Sequence, residues 1–329
     1  MPYGRPKILL DTSTGWTLRA TPADNFWIAV THSPGLFVAV SVVGDANDIM
    51  TSPDGIVWTL RASGSANQWN SVTYGNNLFV AVAQSGIGNR VMTSPDGVVW
   101  TLRASAADVQ WMSVTYGNGL FAAVARIAGA NSIMTSPDGI VWTLRAAANG
   151  DYQGITFGNN LFVAIVTGTA LISSDGITWA THATPGVNTI LAITFAKGLF
   201  VAVGADIVLT SPDGVVWTLR AAAGPNQWES VTFGNGLFVA VASNGIGDRI
   251  MTSPDGINWT LGAGVPADNW LGITFTDGLF VAVGSTAPGT HVMTSGRIGS
   301  GGEPGKASNG IFMLPFLASL TTQIMRRFP

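Results

Sequence analysis

The chain has 329 residues, a net charge of −3 and no cysteine, with 10% charged residues against 47% hydrophobic. That balance excludes a broad basic footprint for nucleic acid, and the lack of cysteine excludes a disulfide scaffold and any thiolate nucleophile or metal ligand. With 41 Gly, 12 Trp and 15 Phe, the composition points to many short apolar elements separated by turns.

Residues 1–13 read as an N-terminal segment. Its only apolar stretch, Ile8-Leu9-Leu10, is too short for a secretory core, so no signal peptide is expected. No run in the chain reaches the roughly 18–20 apolar residues of a spanning helix. The first predicted strand is Gly15–Ala20, containing Trp16-Thr17-Leu18-Arg19. The same Trp-Thr-Leu-Arg-Ala run returns at Trp58, Trp100, Trp142 and Trp217, with degenerate copies at Trp179 and Trp259; successive spacings are 42, 42, 42, 37, 38 and 42 residues. A second marker, Leu-Phe-(Val/Ala)-Ala, starts at Leu36, Leu78, Leu120, Leu161, Leu199, Leu237 and Leu279.

One unit, residues 69–104, shows the plan. Trp69–Tyr74 is a predicted strand, Gly75-Asn76-Asn77 a turn and Leu78–Ala83 a second strand. The loop Ser85–Asn89 leads to a third strand, Arg90–Ser94. Pro95-Asp96-Gly97 turns the chain into a fourth, Val98–Ala104. A repeat of about 40 residues with four strands predicts a β-propeller blade. The second strand is apolar on both faces, as expected where blades pack face to face. The seventh unit stops after its third strand, His291–Ser295, and the chain start supplies the missing fourth. The fold class is therefore all-β, a seven-bladed propeller spanning 14–295, with blade 7 built from 270–295 plus 14–20.

The turn Ser-Pro-Asp-Gly-x-x-Trp carries Asp54, Asp96, Asp138, Asp213 and Asp255, with Ser-Ser-Asp-Gly at Asp175. It resembles the Asp-box of bacterial neuraminidase-type repeats, usually written Ser-x-Asp-x-Gly-x-Thr-Trp, although here it is one residue shorter. These aspartates read as structural turn residues that accept backbone N–H bonds. Whole units also resemble repeats of propellers in bacteriophage tails and virions and on bacterial surfaces. A sialidase would need a converging arginine triad, but Arg19, Arg61, Arg103, Arg145 and Arg220 share one outer-strand position and spread around the rim. Only two Glu exist, Glu229 and Glu303, and His32, His182 and His291 are scattered. No catalytic residue, metal or cofactor is expected, and the even repetition reads as a chain that is not an enzyme.

Sequence variation concentrates on the face carrying the blade-to-blade loops and the loops between second and third strands. The blade-to-blade loops end in a polar residue and an aromatic, giving Trp27, Trp69, Trp111, Tyr152, Trp228 and Trp270, beside Gln68, Gln110, Gln227 and Asn269. An exposed ring with an adjacent amide is sugar-binding chemistry. The alternative is that each ring wedges between blades. Residues 296–310 read as a flexible linker and 311–329 as an apolar docking tail, with Ile311, Phe312, Leu314, Phe316, Leu317, Leu320, Ile324 and Phe328 as partner contacts. The functional expectation is a structural and binding component of a larger assembly. The units read as those of a phage virion or tail protein for host attachment, docked through 296–329 and able to form a homo-oligomer. The alternatives are a carbohydrate-binding lectin and a glycosidase. The expected location is the virion or the extracellular space, with no nucleic-acid partner and no membrane docking.

Overall fold

A computed structural model describes residues 15–127, 132–148, 150–186, 188–286 and 288–295. The expected linker and docking tail, 296–329, lie outside the described residues. Those that are described form seven antiparallel sheets and no helix. Each sheet is a four-stranded meander, and one has a short added strand, Gly150–Asp151. The inner strands of blades 1 to 7 are Trp27–Ser33, Trp69–Gly75, Gln110–Gly117, Gly154–Gly158, Ile190–Ala196, Trp228–Gly234 and Trp270–Thr276.

The blades are held together through their second strands. In blade 2 this strand is Leu78–Ala83, and every residue after Leu78 is buried. Alternate side chains leave opposite faces of a strand. Accordingly Phe79, Ala81 and Ala83 pack with Val38, Val40 and Ile49 of blade 1. Val80 and Val82 pack with Trp111, Phe121 and Met134 of blade 3. An aromatic row crosses each blade: Tyr74 to Phe79 at 4.7 Å between ring centroids, then Phe79 to Trp100 at 6.3 Å. Neighbouring inner strands approach so closely that a Cβ on Gly75 would lie 2.1 Å from Cγ of Tyr116, so only glycine fits there.

The ring closes as the repeat count predicts. Trp16–Arg19 pairs antiparallel with Val292–Ser295, with Trp16 opposite Ser295 and Leu18 opposite Met293. Trp16 reaches Phe280 at 6.3 Å, the same spacing that Trp100 keeps to Phe79. Arg19 Nε donates to Thr294 Oγ1 at 3.0 Å, as Arg103 Nε does to Thr93 Oγ1. The last seam is then filled by Val281, Val283 and Val292 of blade 7 against Trp27, Phe37, Met50 and Trp58 of blade 1.

The outer strands are shorter than the sequence suggests. In blade 2 the fourth strand is Thr101–Arg103 rather than Val98–Ala104. The reason is the Asp turn. Asp96 Oδ1 accepts the N–H groups of Val98 and Val99, each at 2.9 Å, and the Ser94 hydroxyl at 3.0 Å. Ser94 Oγ accepts Gly97 N–H at 2.8 Å, and Trp100 Nε1 donates to Gly97 O at 3.0 Å. The valines therefore belong to the turn, and Val99 stands 65% exposed. Asp54, Asp138, Asp175, Asp213 and Asp255 repeat this geometry.

The backbone N–H bonds from Val99 and Val98 hold the Asp96 carboxyl below the usual carboxylate range. A carboxyl depressed on folding stabilises the fold above its unfolded pKa and loses that contribution as pH falls through its folded pKa. Asp96→Ala is expected to cost about 0.5–1 kcal/mol at neutral pH, the net worth of hydrogen bonds made by an exposed carboxylate. It should also flatten the acid limb of stability against pH. Urea denaturation of both proteins between pH 7 and 3 checks this, and parallel acid limbs would contradict it.

Candidate functional site

Where seven inner strands surround an axis, they leave a space between them. The structure has a cavity of about 350 Å³ there, at the lower end of the range for small-ligand sites. Every blade contributes the same three consecutive positions at the start of its inner strand, in blade 4 from the residue just before it. The first is the residue after the blade-entry position held by Trp, Tyr or Ile: Ile28, Asn70, Met112, Gln153, Leu191, Glu229 and Leu271. The second is small, Ala29, Ser71, Ser113, Gly154, Ala192, Ser230 and Gly272, and the third is always Val or Ile. The cavity mouth thus lies beside the blade-to-blade loops, on the face where sequence varies.

Six of the seven inner strands slip register at the first of these positions, as between Trp69 and Ser71 or Trp228 and Ser230. A bulge re-aims one side chain while the rest of the ladder is kept. The second ring is a partial hydrogen-bond circuit. Ser71, Ser113 and Ser230 accept the N–H groups of Val114, Ile155 and Ile273 in the following blade at 3.2, 3.4 and 3.3 Å. Ala29, Gly154, Ala192 and Gly272 have no hydroxyl to offer, so the matching N–H groups of Val72, Ile193, Val231 and Val30 lack that acceptor.

Among the described residues, Glu229 is the one ionisable side chain lining the cavity. Its Oε1 accepts from Ser243 Oγ at 2.6 Å and from Gln227 Nε2 at 2.8 Å. No Lys or Arg pairs with it among the described residues. Burial pushes its carboxyl above the ordinary glutamate value, against the opposing pull of those two hydrogen bonds.

The aromatic residues singled out from the sequence are not a binding surface. Trp27, Trp69, Trp111, Tyr152, Trp228 and Trp270 are all fully buried. Each ring fills the seam between adjacent blades, and most tie down the preceding loop: Trp111 Nε1 donates to Ala107 O at 3.1 Å, Trp270 Nε1 to Pro266 O at 3.0 Å and Tyr152 Oη to Ala148 O at 3.2 Å. No ring face is left for a sugar to stack upon. The neighbouring amides differ. Gln110 and Gln227 are exposed, while Gln68 and Asn269 are half-buried. Gln68 Oε1 accepts from Gln84 Nε2 at 2.9 Å. Gln227 is the amide that reaches the cavity, through Glu229.

Sequence reasoning missed the seven residues at the mouth. A signal was present: in inner strands that otherwise run small–Val/Ile–Thr–aromatic, the residue after the entry position changes in nearly every copy. The arginines stay on the rim. Arg61, Arg145 and Arg220 bond Thr51, Thr135 and Thr210 of the adjacent strand at 3.0, 2.7 and 3.0 Å, and none converges on the axis.

No family model and no curated protein matches the sequence. Solved structures do share its fold. A structure described as YCF48 bound to D1 peptide aligns with a TM-score of 0.66 at 16% identity, covering 86% of this chain and 95% of that one. Virginiamycin B lyase from Staphylococcus aureus aligns with a TM-score of 0.73 at 13% identity, covering 85% and 98%. A streptogramin B lyase gives 0.74 at 13%, covering 85% and 96%. At such identities the likeness concerns fold alone. It nevertheless overturns the expectation that this chain is not an enzyme. That expectation rested on the evenness of the ring, and a lyase is built on the same ring.

The raised Glu229 carboxyl has a consequence for stability. A group whose pKa rises on folding contributes stability below its unfolded pKa and loses it as pH climbs through the folded value. Glu229→Gln keeps hydrogen-bonding partners for Gln227 and Ser243 without the charge. Its stability relative to wild type should therefore improve as pH is raised from 4 to 8. Chemical denaturation across that range reads the difference, and a variant that loses ground as pH rises would contradict the burial of an unpaired charge.

Proposed function

We propose that the chain is a binding component of a larger assembly, and that a protein segment engages its varied face at the mouth of the axial cavity. The observation that carries this reading is the division of the molecule into one uniform face and one varied one. The turn face repeats a single Asp-centred hairpin in six blades. The opposite face offers seven equivalent positions, six of them at bulges, bearing Ile, Asn, Met, Gln, Leu, Glu and Leu around one concave opening. Concave sites that combine apolar surface with a few convergent polar groups are where proteins take ligands. A protein of like fold described as bound to a peptide supports a segment of polypeptide as the ligand. The sequence resemblance to Asp-box propellers of phage tails and bacterial surfaces favours attachment to a partner or host surface as the setting. With every blade-entry aromatic buried, the carbohydrate reading has no stacking platform to rest on.

The test is selection of a displayed library of random linear peptides on the purified full chain. Leu191→Arg places a long cation beside Glu229 and fills the cavity; Val99→Arg adds the same charge to an exposed position on the turn face. Selected peptides are expected to bind wild type and Val99→Arg alike and to lose at least tenfold in affinity on Leu191→Arg. A library that yields no binder, or binders equally affected by both substitutions, overturns the reading.

A further inference from the structure

The asymmetry of the mouth points to the chemistry of its occupant. Glu229 of blade 6 stands between Leu191 of blade 5 and Leu271 of blade 7, and Ile28 and Met112 add further apolar surface to the same ring. Both hydrogen bonds to the Glu229 carboxylate fall on Oε1, from Ser243 and Gln227. Oε2 has no donor among the described residues, although it belongs to a group that lines the cavity. An anionic oxygen in partly apolar surroundings is costly unless something pairs with it. Perturbed and unpaired groups in clefts are candidates for ligand contact.

We propose that the axial cavity receives a primary ammonium group on an unbranched aliphatic stem, as lysine carries, with the ammonium on Glu229 Oε2 and the stem against Leu191, Leu271, Ile28 and Met112. This rests on the reading above, that a polypeptide segment engages the mouth, and names the side chain it inserts. The geometry selects ammonium over guanidinium. A guanidinium is recognised best by both oxygens of a carboxylate in a fork, whereas an ammonium acts as a compact point charge. With Oε1 already taken by two donors, only single-oxygen pairing is open. The size agrees, since about 350 Å³ holds one extended side chain. The strands packed against the Glu229 strand, Ile190–Ala196, Leu199–Gly204, Leu237–Ala242 and Trp270–Thr276, contain no titratable side chain. The site's charge is therefore governed by Glu229 itself.

Titration of the full chain with n-pentylammonium, followed by methyl NMR, tests the proposal directly. The methyl signals of Met112, Leu191 and Leu271 should shift together and saturate. Glu229→Gln should weaken the binding at least tenfold, and n-pentanol and n-pentylguanidinium should bind wild type no better than the ammonium binds that variant. In wild type the affinity should fall on acidification, starting above the ordinary glutamate pKa because burial raises the carboxyl; this arm needs no variant. Equal binding of the alcohol, indifference to Glu229→Gln, or shifts confined to methyl groups away from the cavity would overturn the proposal. The two readings fail separately. Peptides that depend on the mouth but show no lysine requirement would refute this inference and leave the binding face standing. Saturable ammonium binding with a blank peptide library would do the reverse.

Discussion

Everything in this molecule depends on a four-residue strand pairing with the far end of the described chain. Each blade offers two apolar faces, because its second strand is hydrophobic on both sides. Six seams are filled by consecutive blades. The seventh joins blade 7 to blade 1, and the pairing of Trp16–Arg19 with Val292–Ser295 ties the two together, because the same chain runs from that strand directly into the inner strand of blade 1. Without that pairing, Val281, Val283 and Val292 on one side and Trp27, Phe37 and Met50 on the other would face water. Burying each such side chain fully contributes about 1.5–3 kcal/mol, so an open ring would forfeit a large part of a typical domain's marginal stability. Closure also leaves Val292–Ser295 paired on both sides, within the sheet order that runs from the chain start to the inner strand of blade 7.

With closure fixed, the two faces are free to differ. On the turn face one carboxylate organises each hairpin by accepting two backbone N–H groups and a serine hydroxyl, so the same few residues recur and little can vary. On the opposite face each blade enters through a buried aromatic or Ile190, and in six blades a bulge then swings the next residue toward the axis. The bulge separates two tasks along one strand: residues before and after it hold the seam, and the bulged residue meets the cavity. Mouth positions tolerate Ile, Asn, Met, Gln, Leu and Glu because they carry no packing duty of that kind. A single carboxylate in that ring gives the cavity its direction.

Much of this was legible in the sequence. Blade number, strand order and closure followed from seven copies of two markers and one orphan at each end, since repetition is insensitive to errors in any single copy. Strand ends were less legible. Val98 and Val99 look like strand residues by β-propensity, yet Asp96 captures their N–H groups and turns them outward. The site was the least legible part. Trp69 and Gln68 together resemble sugar-binding chemistry, but whether an indole lies in a seam or on a surface depends on the neighbouring blade, about 40 residues away in sequence. The inward swing of Glu229 depends on a bulge, and bulges leave no residue signature here: Ile28, Asn70 and Glu229 share no chemistry, only a position.

The chain's lack of cysteine makes the central claim open to a clean measurement. Thr17 and Thr294 are direct partners across the closing pair, at a separation suited to a disulfide. In the Thr17→Cys/Thr294→Cys double variant, mild oxidation is expected to yield a monomeric, internally cross-linked chain with a raised unfolding temperature, while a Thr17→Cys/Thr135→Cys control, with its second site on the third strand of blade 3, stays reduced. A double variant that remains reduced, or that cross-links only between chains, would contradict closure of the ring by its own first strand.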